Sequence, residues 1–270
     1  MKRTALTLIA ALCLVAGMKA QFSSVNTAFK SGETLAYDLY FNWKFVWVKV
    51  GTATMSTTES VWKGKPCYKT FLITKGNSKA DKLFVMRDTL TAYVTHDIMP
   101  LYYTKHAREG KRYTVDRVNY SYSGGQCHID QCRIYDDGEV KKDKTSTKYG
   151  VYDMVSMLLK ARSFDASKYQ KGKRIVFYMA DGKRVAPEQI VYRGKDTFTV
   201  EGTKQTYRCL VFSFIEKKNG KEKDVITFYV TDDANHMPVR LDMNLTFGTA
   251  KAYLRMATGL RNPQTSLVKK

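Results

Sequence analysis

Between Leu35 and Trp47 every odd-numbered residue is apolar: Leu35, Tyr37, Leu39, Phe41, Trp43, Phe45 and Trp47. Asp38, Asn42 and Lys44 fall on even positions. A period of two is the signature of a β-strand with one face buried, and a helix cannot satisfy it. The run predicts one long strand over 35–47. Gly51 then interrupts it, and Thr52–Thr58 reads as a second strand. Near the other end Val239, Leu241, Met243, Leu245 and Phe247 alternate with Arg240, Asp242, Asn244 and Thr246. After Gly248 the alternation resumes at Ala252, Leu254 and Met256, which predicts a closing hairpin.

Strand-like runs fill the interval, among them Tyr113–Tyr122, Tyr207–Ile215 and Val225–Val230. Turn dipeptides separate them: Lys63-Gly64, Glu109-Gly110, Asp137-Gly138, Asp181-Gly182 and Asn219-Gly220. Many strands at short spacing predict an all-β, mostly antiparallel fold, with curved sheets or half-barrels forming an open barrel or sandwich. One stretch departs from this period. Val151, Met154, Val155, Leu158 and Leu159 follow helical spacing, which predicts a bridging or capping helix near 151–162. Gly150 would be its N-cap, with Asp153 in the first turn and Arg162 near the end, both favoured by the helix dipole. The chain then reads as one large β domain over 21–262, divisible into halves at 30–148 and 172–257. Residues 263–270 are expected to form a loose polar tail.

The N-terminus reads as an export signal. Lys2-Arg3 precedes an apolar run from Thr4 to Gly17, and Ala20-Gln21 offers a cleavage point. The run is too short to span a bilayer, so residues 1–20 are expected to be removed and the mature chain to lie in the periplasm, with no transmembrane segment. Of the 270 residues, 45 are Lys or Arg and 25 Asp or Glu, a formal charge of +20. Three of those positive charges, on Lys2, Arg3 and Lys19, belong to the leader. An exported chain with no nucleic-acid-binding signature is not expected to bind nucleic acid. Its basic runs, such as Lys141-Lys142-Lys144, Lys168-Lys171-Lys173 and Lys217-Lys218-Lys221, are either solvated loops or contacts for an anionic envelope component.

Four cysteines follow the leader: Cys67, Cys127, Cys132 and Cys209. An even number in an exported chain suggests disulfides, with pairing 127–132 at a hairpin tip and 67–209 across the chain as one arrangement. No nucleophile elbow, P-loop, dinucleotide fingerprint or zinc-protease helix is present, so neither a catalytic residue, a metal nor a cofactor is expected. Asp153 with Ser156, or His236, would be the place to look for a hydrolase. Capping is the plainer role for the first two. Tyr37, Phe41, Trp43 and Trp47 would line a cavity for a lipid or other amphiphile if the sheet encloses one.

Three stretches carry a family resemblance. Phe29-Lys30-Ser31-Gly32-Glu33-Thr34-Leu35-Ala36-Tyr37-Asp38 leads into Val50-Gly51-Thr52-Ala53-Thr54. Tyr152-Asp153-Met154-Val155-Ser156-Met157-Leu158 opens the helix that ends at Arg162. Asp232-Asp233-Ala234-Asn235-His236-Met237-Pro238-Val239-Arg240-Leu241 precedes Phe247-Gly248. In this order, over 29–257, they resemble the exported bacterial family called domain of unknown function 3108. The leader and the Lys/Tyr-rich composition look like a Bacteroidetes member. The resemblance implies a β-rich periplasmic domain, with half-barrels around a helix, and brings no activity. It leaves Gly32, Glu33, Asp153, Ser156, Arg162, Pro238 and Arg240 as residues with structural roles. The function expected is therefore a non-catalytic envelope scaffold or carrier. A basic interaction module and an uncharacterised hydrolase are the alternatives.

Overall fold

The computed structural model describes residues 22–43, 46–82, 84–218, 220–245 and 248–269. The expected leader, residues 1–20, lies outside them. The first eight strands form an antiparallel meander: β1 (Thr34–Trp43), β2 (Val46–Trp62), β3 (Lys65–Gly76), β4 (Met86–Val94), β5 (Pro100–Glu109), β6 (Arg112–Ser123), β7 (Gln126–Tyr135) and β8 (Val140–Thr147). A two-residue strand β9 (Val151–Tyr152) and the helix α1 (Met154–Ala161) follow. The chain then returns through β10 (Arg174–Ala180), β11 (Val185–Thr199), β12 (Thr206–Lys218), β13 (Lys221–Thr231), β14 (Pro238–Leu245) and β15 (Gly248–Thr258). A last strand, β16 (Leu267–Lys269), pairs with β12.

These strands share one sheet in the order β8-β7-β6-β5-β4-β3-β2-β1-β15-β14-β13-β12-β11-β10-β9. Every pairing is antiparallel except β9 with β10. The two predicted halves are thus joined edge to edge where β1 pairs β15. Laid flat, such a sheet would measure roughly 65–70 Å from β8 to β9. Yet β8 and β9 are consecutive in the chain, joined by residues 148–150, which span about 14 Å at most. The sheet must therefore curl until its ends approach. The turn between β10 and β11 accordingly lies against β7: Gly182 N donates to Gln131 Oε1 at 2.9 Å, and Arg133 Nη2 to the Asp181 carbonyl at 2.7 Å. Among the described residues the fold is all-β around the helix α1, curled but not closed.

The helix fills the curl. Val155 and Leu159 pack into a core with Phe22, Phe29, Val94 and Ile129. Met157 enters a second core with Phe177, Ile190 and Phe212, and Leu158 packs against a third built from Leu35, Tyr37, Val239 and Leu254. Burying side chains of this size contributes about 1.5–3 kcal/mol each, so an eight-residue helix too short to persist alone is held by its contacts. Among the described residues no helix is long and apolar enough to cross a membrane.

Four expectations need correction. The odd-numbered apolar run is two strands, because the chain turns between Trp43 and Val46. Phe41 then lies opposite Val48, and Asn42 opposite Trp47, so Trp47 is on the other face from Phe41. The strand predicted to stop at Gly51 runs through it. A Cβ there would come within 2.3 Å of the Lys75 carbonyl oxygen, and the adjacent register shift marks a β-bulge, so glycine marks a close backbone approach. The helix starts later than expected, since Val151 and Tyr152 pair with β10 and Asp153, not Gly150, is the N-cap. The tail is not loose: Ser266 is buried, its hydroxyl donates to Asp233 Oδ2 at 2.6 Å, and β16 extends the edge of β12.

Candidate functional site

The three blocks singled out in the sequence meet at one end of the curl. Gly32 adopts φ +87°, conformational space that glycine enters freely, and turns the chain into Glu33. Glu33 receives a bidentate pair from Arg162, just beyond α1, with Nη1 to Oε1 at 2.5 Å and Nη2 to Oε2 at 2.9 Å. Both side chains are 1% exposed although they lie 129 residues apart in sequence. Arg162 Nε donates to the Asn235 carbonyl, and its guanidinium sits 5.6 Å from the Phe29 ring centre. His236 Nδ1 donates to the Arg162 carbonyl at 2.6 Å, and Tyr37 donates its hydroxyl to the Pro238 carbonyl at 3.0 Å. Asp233 accepts from Thr231, Asn235 and Ser266, tying in the tail. This is a sealed knot of charge-assisted hydrogen bonds.

Asp153 and Ser156 form a second buried polar group. Asp153 Oδ1 accepts from the backbone of Val155 and Ser156, and Ser156 Oγ accepts from the Asp153 backbone at 3.0 Å, a capping box. Ser156 donates to Asp153 Oδ2 at 2.8 Å, and Tyr120 reaches the same oxygen at 3.4 Å. Burial raises the Asp153 carboxyl to about 6, against the hydrogen bonds from Ser156 and the backbone, which lower it. The serine hydroxyl is committed to its own cap, and His236 sits beyond the far end of the helix. These groups do not converge on one cleft as a hydrolase would require.

The cysteines do not pair. Cys127 and Cys132 lie on the same strand, β7, five residues and thus about 17 Å apart, on opposite faces. A disulfide needs Cα atoms within about 7 Å. Cys67 on β3 and Cys209 on β12 belong to strands that are not neighbours. All four are free thiols, three of them buried. Burial pushes Cys127 up to about 11 and Cys209 up to about 12, which keeps them as inert thiols at neutral pH.

The residues expected to line a cavity are dispersed. Tyr37 is buried in the core, Phe41 is half-buried, Trp47 is 38% exposed, and the Trp43 side chain lies outside what is described. The basic runs are also spread out. Lys141, Lys142 and Lys144 stand exposed on the edge strand β8, where charge discourages pairing with other chains. Lys168, Lys171 and Lys173 line an open notch of about 510 Å³ within their own loop.

An accessible polar site lies elsewhere, on the face of β11–β15 that carries Arg240. In a flat sheet β11 and β15 would be about 19 Å apart. Yet the rings of Phe198 on β11 and Tyr253 on β15 stack at 5.9 Å with planes 8° apart. The strands therefore bend toward one another on this face, and the two rings meet across the resulting trough beside Arg240 of β14. Arg240 lies 4.7 Å from the Phe198 ring centre and 4.6 Å from that of Tyr229. It forks onto Asp242, with Nε to Oδ1 at 2.7 Å and Nη2 to Oδ2 at 2.5 Å. Burial opposes the arginine charge, and the hydrogen-bonded Asp242 carboxylate overrides it, so its pKa is raised. Further along, Arg193 at a bulge in β11 bonds Ser213 Oγ and Asp224, and Ser213 Oγ donates to Asp224 Oδ2 at 3.0 Å. Tyr40 continues the aromatic row at 5.6 Å from Tyr253, and Lys251 lies over the Trp47 ring at 4.3 Å. Of this trough the sequence reading singled out only Arg240 and Trp47. The alternation of β14 marks Arg240 as off the core face, but nothing local brings Phe198 to Tyr253.

The sequence matches the family model described as protein of unknown function (DUF3108) over residues 36–255. No curated protein matches it. Among solved structures it is similar to the crystal structure of a beta-barrel-like protein of domain of unknown function DUF1849 from Brucella abortus. That likeness has a TM-score of 0.56 at 13% identity and covers 85% of this chain and 98% of the other, which speaks to fold alone. With most of its length, the Asp153–Ser156 helix cap, Arg162 and Arg240 inside the matched span, the chain belongs to the DUF3108 family of proteins of unknown function.

Proposed function

We propose that this chain is an exported, non-catalytic binding module of the bacterial cell envelope, in keeping with a Bacteroidetes origin, and that it works through the open trough of β11–β15. The observation that carries this is the Phe198–Tyr253 stack across four strand spacings, which gathers rings and partly exposed ion pairs on one face. Support for a non-catalytic role comes from Asp153 and Ser156, whose polar atoms serve the helix cap. The carrier with an apolar interior is less well supported, because α1 and the segment around Phe22 and Phe29 occupy the curl. Support for export rests on Lys2-Arg3, the apolar run and Ala20-Gln21.

The test is to express the full chain with its leader, fractionate the cells, and measure the released protein by native mass spectrometry. Expected are a periplasmic chain shortened near Ala20 and a bound species that Phe198→Ala loses. A full-length cytosolic product, or a bound species retained by that variant, overturns the reading.

A second reading rests on the β1–β2 tip. Val46 and Val48 are exposed beside Trp47 and Lys49, a combination that suits docking to an anionic membrane surface. Salt-sensitive binding to phosphatidylglycerol vesicles that Val46→Asp abolishes is the expected result. Binding indifferent to that change would dismiss it.

A further inference from the structure

We infer that the outer edge of β8 takes up an extended acidic segment of a partner protein as an added antiparallel strand. This site is separate from the trough of β11–β15 and does not depend on it. A sheet that curls without closing keeps two ends, and here they are not alike. At one end β9 has two residues and leads into α1, so it offers little length to pair with. At the other, β8 runs for eight residues, in unbroken register with β7 from Ile134↔Val140 to Cys127↔Thr147.

On an antiparallel edge strand alternate residues turn their N–H and C=O groups away from the neighbour. Among the described residues no strand other than β7 pairs with β8, and no turn or loop backbone bonds to it. The strand contains no Pro and no bulge, two devices that would blunt an edge. Its only guard is charge.

That charge selects the partner. Lys141, Lys142 and Lys144 stand exposed beside a single acid, Asp143. Asp143 is already engaged, accepting from Gln131 Nε2 at 2.8 Å and Thr145 Oγ1 at 3.1 Å. Lys144 reaches Asp130 at 3.1 Å and Lys141 reaches Glu139 at 3.6 Å. Among the described residues Lys142 has no such carboxylate. Its row on the sheet runs Arg117, Cys132, Lys142, and the exposed Arg117 adds a second cation.

The same charges turn away a second copy of the chain. A two-fold pairing centred on Lys141, Lys142 or Lys144 sets that lysine opposite itself. One centred on Asp143 sets Lys142 opposite Lys144 of the second copy. Like charges directly opposite are destabilising, and a strand of opposite charge reverses the sign. Lys142 and Lys144 share one face of β8. The segment that fits therefore carries Asp or Glu two residues apart on that face, while its backbone completes the ladder.

The experiment is an amide NMR titration of the chain beginning at Gln21. The probes are an eight-residue peptide of alternating Glu and Val, its Lys/Val counterpart, and polygalacturonate. The Glu peptide should shift the amides of residues 140–147 and slow their hydrogen exchange, with an affinity that falls with salt. The Lys peptide should leave them unmoved. Lys142→Glu should weaken the Glu peptide about three- to tenfold. Two N-methylated forms of that peptide separate strand addition from charge attraction. Methylating alternate residues along one edge should abolish binding, and along the other edge should preserve it, because only one edge faces β8 when the Glu side chains meet the lysines. Equal effects of the two methylations, binding indifferent to Lys142→Glu, or no shift of residues 140–147 would overturn the strand addition. So would polygalacturonate moving the same amides as far, which would make the edge a plain anion contact.

Discussion

Two arginines in this protein are held in the same way and lie in opposite surroundings. Arg162 forks onto Glu33 against the ring of Phe29, and Arg240 forks onto Asp242 between the rings of Phe198 and Tyr229. The first pair is 1% exposed and also binds the Asn235 carbonyl. The second is 18% and 26% exposed. Where the pair is sealed, its remaining hydrogen-bonding capacity is taken by the protein, so it fixes geometry. Where it is open, part of that capacity faces solvent and is available to a ligand. The same side-chain chemistry is sealed in one place and partly open to solvent in the other, and burial makes the difference.

The largest effect should come from breaking the sealed pair. Arg162→Leu leaves a buried carboxylate without a partner and is expected to cost about 3–5 kcal/mol in urea unfolding. Replacing both partners, as Glu33→Leu with Arg162→Leu, should cost much less than the sum of the singles. Additive losses would mean the two residues do not act as a pair.

Next in size is a pH effect from the buried helix cap. The Asp153 carboxyl is raised from 3.8 to about 6, so the folded chain holds this proton more tightly than the unfolded chain. Its contribution to stability is therefore largest in acid, falls as pH rises from about 4 to about 6, and is level above that. The span is on the order of 3 kcal/mol. Asp88, raised to about 6 chiefly by burial, acts in the same direction. Carboxyls lowered by Arg partners, Asp81 and Glu222, lose their contribution only at more acid pH. Acidifying from neutral to about pH 5 should raise the melting temperature through Asp153 and Asp88, and Asp153→Asn, which keeps a capping oxygen, should flatten that rise. A variant with the wild-type pH profile would remove Asp153 from this account.

Smaller still is the loss of the cap's second half. Ser156→Ala should lower stability by about 1 kcal/mol in thermal or urea melts, with α1 kept in place by its core contacts. The smallest effect concerns the thiols. In a chain beginning at Gln21, native alkylation should modify Cys132 alone, and Cys67, Cys127, Cys132 and Cys209 should all react after unfolding without reductant. Fewer than four reactive thiols in the unfolded chain would restore a disulfide.

The strands and the helix were legible because periodicity is a local property. The alternation from Val239 to Leu245 reads directly as β14. The same signal misled at Trp47. Trp43 pairs with Val46, so odd residues after the turn move to the opposite face, and an unbroken parity hides a hairpin. Val151 fits the helical period and so draws Asp153 into the first turn, although the backbones of Val151 and Tyr152 pair with β10. The sealed knot left a trace in the three sequence blocks, which meet there. The trough left almost none: Phe198 and Tyr253 meet only because the sheet curls, and curvature set by twist and bulges over five strands is not written at either residue.

The most direct test sets the two pairs side by side. Glu33→Gln and Asp242→Asn remove one carboxylate charge each and keep the side-chain shape. Urea unfolding of the two variants should give a loss of about 3–5 kcal/mol for the first and under about 1 kcal/mol for the second. Equal losses would contradict the division into a sealed architectural pair and an open pair that the fold does not depend on.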